Sequence, residues 1–393
     1  MHARYLRFLL LFCALTWLPA IVLNFVLVKN EGNIEEISFA ASAWQEKTKG
    51  ITFSPTFGNN SLFKTLRLND RLAETDTIVF SSSTSMPIDS TMLPSHWHLY
   101  NFSQSGSPLS SSIRQAEYLA AKAPHIKHYI IALDWAIGSP YQAVAAGPID
   151  LTRPTKNTAN QQKNCPSLLA DINDALSFPR MTKLWQVLTN IAKARQPTRS
   201  FREHFLQISS DEYLCPDGKT PGMDFGVHNR GTCNGFRYDG SATYSDYKLA
   251  SNEKTLINVA LSASSKYVEA LKTTQGAVHP QVLERLSALN TAIGKNGGTL
   301  ILIMPPLSPG LEKGFLQHPQ YSTYLQRTKQ DFEAWNKTNR AVILDFGQSE
   351  KYGCAVNEFL DQHHAIPSCY QKTFDIFWKS AEGSAIIART RER

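Results

Sequence analysis

The chain has no long run of basic residues, and its formal net charge of +7 is spread thinly over 393 residues. Nothing in that distribution calls for a nucleic-acid partner. It also lacks internal repeats and low-complexity tracts, which excludes repeat arrays and composition-driven disorder. Its six cysteines match no zinc-binding spacing. The pair His96-Trp97-His98 has no third ligand and alternates as a strand does, so it reads as structure. Neither a metal nor a cofactor is expected. No A-x-A-like cleavage site follows the N-terminal apolar run, which disfavours a cleaved signal peptide.

What the chain does have is 42% hydrophobic residues, enough to bury a large core at a length beyond that of most single domains. Phe8 to Val28 is an apolar run of roughly 21 residues, the length of a membrane-spanning helix. Arg4 and Arg7 precede it, and the positive-inside rule then keeps the N-terminus cytoplasmic. The expectation is a single-pass inner-membrane anchor over residues 1–30, with the rest extracytoplasmic. Cys13 lies in that run. Cys215 and Cys233 flank a Gly/Pro/Asp-rich loop, and Cys354 and Cys369 flank a second loop near the C-terminus. In an oxidising compartment both pairs are expected to bridge. Cys165 remains over, and sequence leaves a pairing through it open.

Residues 31–73 are polar and broken by Pro55, Gly58, Asn59 and Asn60, and read as a stalk and packing segment. From residue 74 an α/β rhythm begins. Strands are expected at Thr77–Ser81, His98–Phe102, His128–Leu133, Thr299–Met304 and Ala341–Phe346. Helical spacing of apolar residues appears over Leu109–Ala123, Pro280–Ile293, Tyr321–Lys337 and Phe374–Arg389. Alternation of this kind implies a parallel sheet of about five strands with right-handed crossovers, the flavodoxin-like three-layer sandwich. Between about 138 and 275 the rhythm stops. That stretch holds helical segments at Leu168–Ala194 and Leu256–Leu271 around a Gly/Asp/Asn/Tyr-rich loop, and reads as an insertion over the sheet edge.

Ser83 leaves the first strand, Gly106 follows the second, Asp134 ends the third, and Asp361 and His364 follow the fifth. A parallel sheet brings all of them to its carboxyl edge, where ligands bind in open α/β sheets. Acyl transfer through serine needs a hydroxyl, an imidazole to take its proton and a carboxylate to fix that imidazole. Ser83, His364 and Asp361 are the candidates, with Ser82 and Ser85 as rival nucleophiles and His363 as rival base. The backbone N–H groups of Ser83 and Gly106 are the candidate oxyanion donors. Asp134 either caps the following segment or lines the pocket. Arg237 and Asp239, in the turn Arg237-Tyr238-Asp239-Gly240-Ser241, are candidate sugar contacts, and turn chemistry is the alternative.

The order of these blocks resembles the SGNH (GDSL-type) hydrolase superfamily. It is most similar to the membrane-anchored cell-envelope branch, which includes alginate O-acetylation and lipoteichoic-acid D-alanylation proteins. The resemblance runs from about Thr77 to the C-terminus, without the insertion. Ser81-Ser82-Ser83 stands where the family has Gly-x-Ser, Asn101 to Gly106 resembles the oxyanion-glycine block, and Asp361-Gln362-His363-His364 fits Asp-x-x-His. Met304-Pro305-Pro306 and Asp345-Phe346 also look like this branch. The chain departs from the family at Ser81, in place of glycine, and after the third strand, where Asp134-Trp135 replaces Gly-x-Asn-Asp. The resemblance implies an extracytoplasmic serine acyltransferase, moving acetyl groups on a cell-envelope or exopolysaccharide with a membrane-bound O-acyltransferase as partner. A carbohydrate O-acetyl esterase and a non-catalytic polysaccharide-binding scaffold are the alternatives.

Overall fold

The computed structural model describes residues 15, 17–26, 34–53, 60–133, 176, 181–182, 184–185, 188–189, 212–223, 233–244, 252–272 and 276–391. Its strands are β1 (Ile51–Thr52), β2 (Thr77–Phe80), β3 (Leu99–Asn101) and β4 (His128–Ala132), then β5 (Glu212–Leu214), β6 (Pro221–Met223), β7 (Thr299–Met304) and β8 (Val342–Asp345). Its longer helices are α1 (Ile34–Thr48), α2 (Ser61–Arg71), α3 (Leu109–Lys122) and α4 (Glu253–Lys272). They continue with α5 (Pro280–Lys295), α6 (Pro309–Gln317), α7 (Pro319–Asn339), α8 (Pro367–Lys379) and α9 (Ala381–Arg391).

The five apolar runs expected from sequence form one all-parallel sheet in the order β3-β2-β4-β7-β8. Every residue of β2 and β4 is buried, as central parallel strands require. Alternate side chains feed two apolar layers. On one face Ile78, Phe80, Tyr129, Ile131, Leu300 and Leu302 pack against Ile113 and Leu119 of α3, Leu286 and Leu289 of α5 and Phe332 of α7. On the other, Val79, Ile130, Ile301 and Leu344 meet Tyr370 and Phe374 of α8, Ile386 of α9 and the loop residues Ile88 and Trp97. Each fully buried aliphatic side chain contributes about 1.5–3 kcal/mol, so these two layers are the main source of stability. Counted by its own strands the sheet runs 2-1-3-4-5, which places the topological switch point between β2 and β4.

Four helices begin on proline: Pro280, Pro309, Pro319 and Pro367. A proline at a helix start has the right φ and lacks only an N–H that would go unpaired there. Ser308 accepts from Leu311 N–H and caps α6, a helix that apolar spacing does not announce. The closing helix expected over Phe374–Arg389 is two helices. The chain turns extended at Ser380, whose hydroxyl accepts from Gly383 N–H at 3.1 Å and starts α9.

Residues 34–53 and 60–73 are folded and serve as the packing part of the expected stalk and packing segment. Phe63 of α2 stacks on Phe53 with ring centroids 4.6 Å apart, and both join Phe236 and Ala41 in a third apolar cluster. β1 pairs with β6 and β6 with β5, giving a small second sheet between the N-terminal segment and the insertion. Cys215 and Cys233 are bridged beside it, and Cys354 and Cys369 are bridged near the C-terminus, as their positions suggest. Cys165 and the helical stretch Leu168–Ala194 lie largely outside the described residues.

The anchor expectation is corrected. Among the described residues no helix is long and apolar enough to cross a membrane. Of the run Phe8–Val28 the structure describes residue 15 and the helical stretch 17–26. Asn24 within it is buried and donates to the Met181 sulfur at 2.9 Å, a contact with the insertion. The inner-membrane assignment falls with the anchor. The two disulfides still point to an oxidising compartment.

Candidate active site

β2 ends at Phe80 and the chain continues extended through Ser82, then closes a single 3-10 turn over Ser83–Ser85. Such a turn, running straight off a buried strand, lifts a side chain above the sheet edge. Two buried residues hold it. Asn101, the last residue of β3, donates its side-chain amide to the carbonyls of Ser85 at 2.8 Å, Met86 at 3.2 Å and Ile88 at 2.8 Å. The Asn101 Oδ1 accepts from Ser103 N–H at 3.0 Å. From the opposite side, the Tyr370 hydroxyl on α8 donates to the Thr84 carbonyl at 2.9 Å. Asn101→Ala would remove three side-chain contacts to the turn; the Ser85 and Met86 carbonyls keep the N–H groups of Ile88 and Ala242, so each lost hydrogen bond costs about 0.5–1.5 kcal/mol. We expect this variant to melt lower than the wild type and to lose turnover further than its folded fraction explains. A melting curve and a turnover measurement on the same sample check this.

The second half of the site lies in the segment closed by Cys354 and Cys369, whose Cα atoms are 5.1 Å apart. Phe359 and Ala365 pair as an isolated bridge, and Leu360 N–H donates to the His364 carbonyl at 2.9 Å, so the intervening loop is a tight excursion. Inside it one Asp361 oxygen accepts the N–H groups of His363 and His364, both at 2.9 Å. The other accepts from His364 Nδ1 at 2.7 Å. With Nδ1 so protonated, Nε2 is the acceptor for the Ser83 hydroxyl, 2.7 Å away. Ser83, His364 and Asp361 therefore form one continuous hydrogen-bonded line. The His364 side chain is 21% exposed, so the imidazole can be reached from outside while most of it is shielded.

The electrostatics follow from the same contacts. Burial alone would raise the Asp361 carboxyl. The hydrogen bond from His364, the charges of both histidines and the N–H of His363 outweigh burial and hold it well below the usual carboxylate range. Burial, with the neighbouring His364 charge, pushes the His363 imidazole down to about 4. At neutral pH His363 is thus uncharged, although its ring centroid lies 4.2 Å from that of His364. Asp361, His363 and His364 each bring a ligand atom within 4.8 Å of the others. Both oxygens of Asp361 and the Nδ1 of His364 are already committed, which suits a proton relay better than a metal centre.

The remaining sequence candidates separate. Gly106 sits in an exposed turn after β3 with φ +67°, a conformation glycine adopts freely. That loop runs beside the serine turn, because Gln104 N–H donates to the Ser81 carbonyl at 2.9 Å. Asp134 lies outside the described residues. Arg237 and Asp239 are used internally: Arg237 pairs with Asp89 at 3.5 Å, and Asp239 accepts from Ser90 N–H and Ser241 N–H, both at 2.9 Å. The turn carrying them packs on β3. Gly240 has φ +79°, and a Cβ there would lie 2.4 Å from the Asn101 carbonyl oxygen, so only glycine fits. Lys64 of α2 completes that joint. It is fully buried, donates to the carbonyls of Asn101 at 2.7 Å and of Gly240, and lies over the Phe236 ring. Burial pulls its ammonium down to about 7, against the opposing charge of Asp239. The His96 and His98 rings bond Thr390 at 3.0 Å and Asp76 at 3.2 Å respectively, contacts that tie down the chain.

Sequence reasoning had no signal for Lys64 or Tyr370, whose partners lie 37 and 286 positions away. Asn101 was visible as part of the glycine block but not as the brace of the nucleophile turn. Set against protein-family models, curated proteins and solved structures, the chain matches none of them.

Proposed function

We propose that this protein is a serine acyltransferase of the SGNH kind that moves a short acyl group, acetyl, on a cell-envelope or exopolysaccharide. The observation that carries the reading is the Ser83–His364–Asp361 line, with both of its hydrogen bonds at 2.7 Å, at the carboxyl edge of a parallel sheet. Ser83 Oγ attacks the acyl carbonyl carbon and its proton passes to His364 Nε2. The tetrahedral adduct collapses, the leaving oxygen takes that proton, and the acyl group stays on Ser83 as an ester. An acceptor hydroxyl then gives its proton to Nε2 and attacks the ester; as the bond to Ser83 Oγ breaks, Oγ takes that proton back and the acceptor leaves with the acyl group. Asp361 holds the imidazole with Nδ1 protonated and stabilises the imidazolium of each half-reaction. Main-chain N–H groups of the serine turn and of the Gly106 loop are the candidate oxyanion donors. A sugar hydroxyl as acceptor gives transfer, and water gives esterase activity. The same residues serve both, which keeps carbohydrate O-acetyl esterase as the second reading.

The test is turnover of a chromogenic acetyl ester by the purified protein, wild type beside Ser83→Ala. Release by the wild type that disappears in Ser83→Ala is the expected result. Equal release by the two, or none by either at high enzyme concentration, would reject the serine mechanism and favour the binding-scaffold alternative.

A further inference from the structure

We propose that the side-chain amide of Gln104 is an oxyanion donor of this site, acting on the carbonyl oxygen of the acyl group bonded to Ser83. The inference rests on the acyl-transfer reading and adds a residue that neither the Ser-His-Asp line nor the glycine turn includes.

The placement comes from the sheet. β2 and β3 pair in parallel with Val79 opposite Asn101. The ladder continues beyond both strands: Phe102 N–H donates to the Val79 carbonyl at 2.8 Å, and Gln104 N–H to the Ser81 carbonyl at 2.9 Å. Extending that register sets Gln104 alongside Ser82, next to the nucleophile. The other end of the residue is held as well, because its carbonyl accepts from Ser107 N–H at 3.2 Å and closes the Gly106 turn. Gln104 therefore belongs to the same rigid frame as Ser83.

Its chemistry departs from the apolar row it ends, and the hydroxyls of Ser81, Ser85 and Ser103 are buried and without a partner among the described residues as well. In a strand, alternate residues share a face, and the residues before Gln104 on its face are Tyr100 and Phe102, both in the apolar core. An apolar side chain is the stable choice at the end of such a row. Instead the position carries an amide whose Nε2 is buried and has no hydrogen-bond acceptor among the described residues. Leaving a buried N–H group unpaired costs about 1–3 kcal/mol, and folded proteins leave few of them. On a strand end whose main chain runs beside the approach to Ser83, such a donor is suited to a group that develops negative charge only during reaction. A neutral amide fits that role: it donates at every pH and does not compete with Ser83 for His364. In the step itself Ser83 Oγ bonds to the carbonyl carbon, and the C=O π pair moves onto oxygen. That oxyanion accepts a hydrogen bond from Nε2 without proton transfer. The C=O bond re-forms as the leaving oxygen departs with the proton held by His364.

The experiment compares wild type, Gln104→Met, Gln104→Glu and Ser83→Ala as full-length proteins, with a chromogenic acetyl ester as substrate. It reads kcat and KM separately, together with the melting temperature. Removing one oxyanion donor lowers kcat by about 10²-fold with little change in KM. We expect that loss in both Gln104 variants, with Gln104→Met melting no lower than wild type because it relieves an unpaired buried amide. A kcat within about threefold of wild type in both variants, while Ser83→Ala is inactive, would overturn the Gln104 assignment and leave the serine mechanism standing. So would a loss of activity that follows the folded fraction. Wild-type turnover that survives Ser83→Ala would overturn the serine mechanism and this assignment together.

Discussion

Ser83→Ala, His364→Ala and the double variant are expected to lose ester turnover to nearly the same extent, each by roughly 10³-fold or more. The reason is geometric. The Ser83 hydroxyl is a weak nucleophile unless Nε2 takes its proton, and the two atoms are 2.7 Å apart. Once either is gone the other has nothing to act on, so its removal adds little. Asp361→Asn makes a further distinction. Its amide would retain an oxygen for the N–H groups of His363 and His364 while turning an N–H donor toward the imidazole. That favours the tautomer with Nδ1 unprotonated, so Nε2 would carry a hydrogen and could no longer accept the serine proton. We therefore expect Asp361→Asn to keep the loop folded and still lose most activity. The measurement is kcat/KM for each variant at matched folded fraction. Losses that multiply in the double variant would show that Ser83 and His364 act independently and would sink the relay.

Reducing the Cys354–Cys369 bridge is expected to silence the site before the sheet unfolds. The two cysteines are 15 positions apart, and a loop of that size is worth about 3 kcal/mol in chain entropy. Inside it lie Asp361 and His364, whose geometry depends on a handful of main-chain contacts, whereas the sheet core rests on the two apolar layers. The loop should therefore loosen first. The Cys215–Cys233 bridge, 18 positions apart, closes a loop beside the small sheet, so its loss should lower stability with less effect on turnover. A reductant titration that follows activity, thiol release and far-ultraviolet circular dichroism distinguishes these outcomes. Full activity after both thiols of the C-terminal bridge are free would reject the clamp. So would activity that disappears only together with the circular dichroism signal.

The sequence by itself determined the sheet. Runs such as Thr77-Ile78-Val79-Phe80 and Thr299-Leu300-Ile301-Leu302-Ile303-Met304 are apolar at every position, and that pattern is stable only where both faces of a strand are covered. It also determined the spacing Asp361-x-x-His364, a local relation, and suggested the two cysteine pairs, although only the structure closed the alternative through Cys165 by bridging Cys215 to Cys233 and Cys354 to Cys369. Local apolarity misled at the N-terminus: it marks a hydrophobic run, and among the described residues no helix is long and apolar enough to cross a membrane. Polar composition marked residues 34–53 and 60–73 as a packing segment without showing that Phe53 and Phe63 are what packs against the insertion.

Other choices needed the tertiary structure. Composition cannot separate three serines in a row or two adjacent histidines. The turn does so, because Asp361 spends one oxygen on the main-chain N–H groups of His363 and His364, and its other oxygen meets the His364 ring at 2.7 Å. Ser83 is selected in the same way: Ser82 bonds Thr84 at 3.1 Å, Ser85 is fully buried, and only Ser83 meets His364. Asn101, Lys64 and Gln104 became visible last. Each acts on main chain that is remote in sequence or stands unpaired against it, and hydrogen-bond partners of that kind are set by where strands end, which residue type does not record.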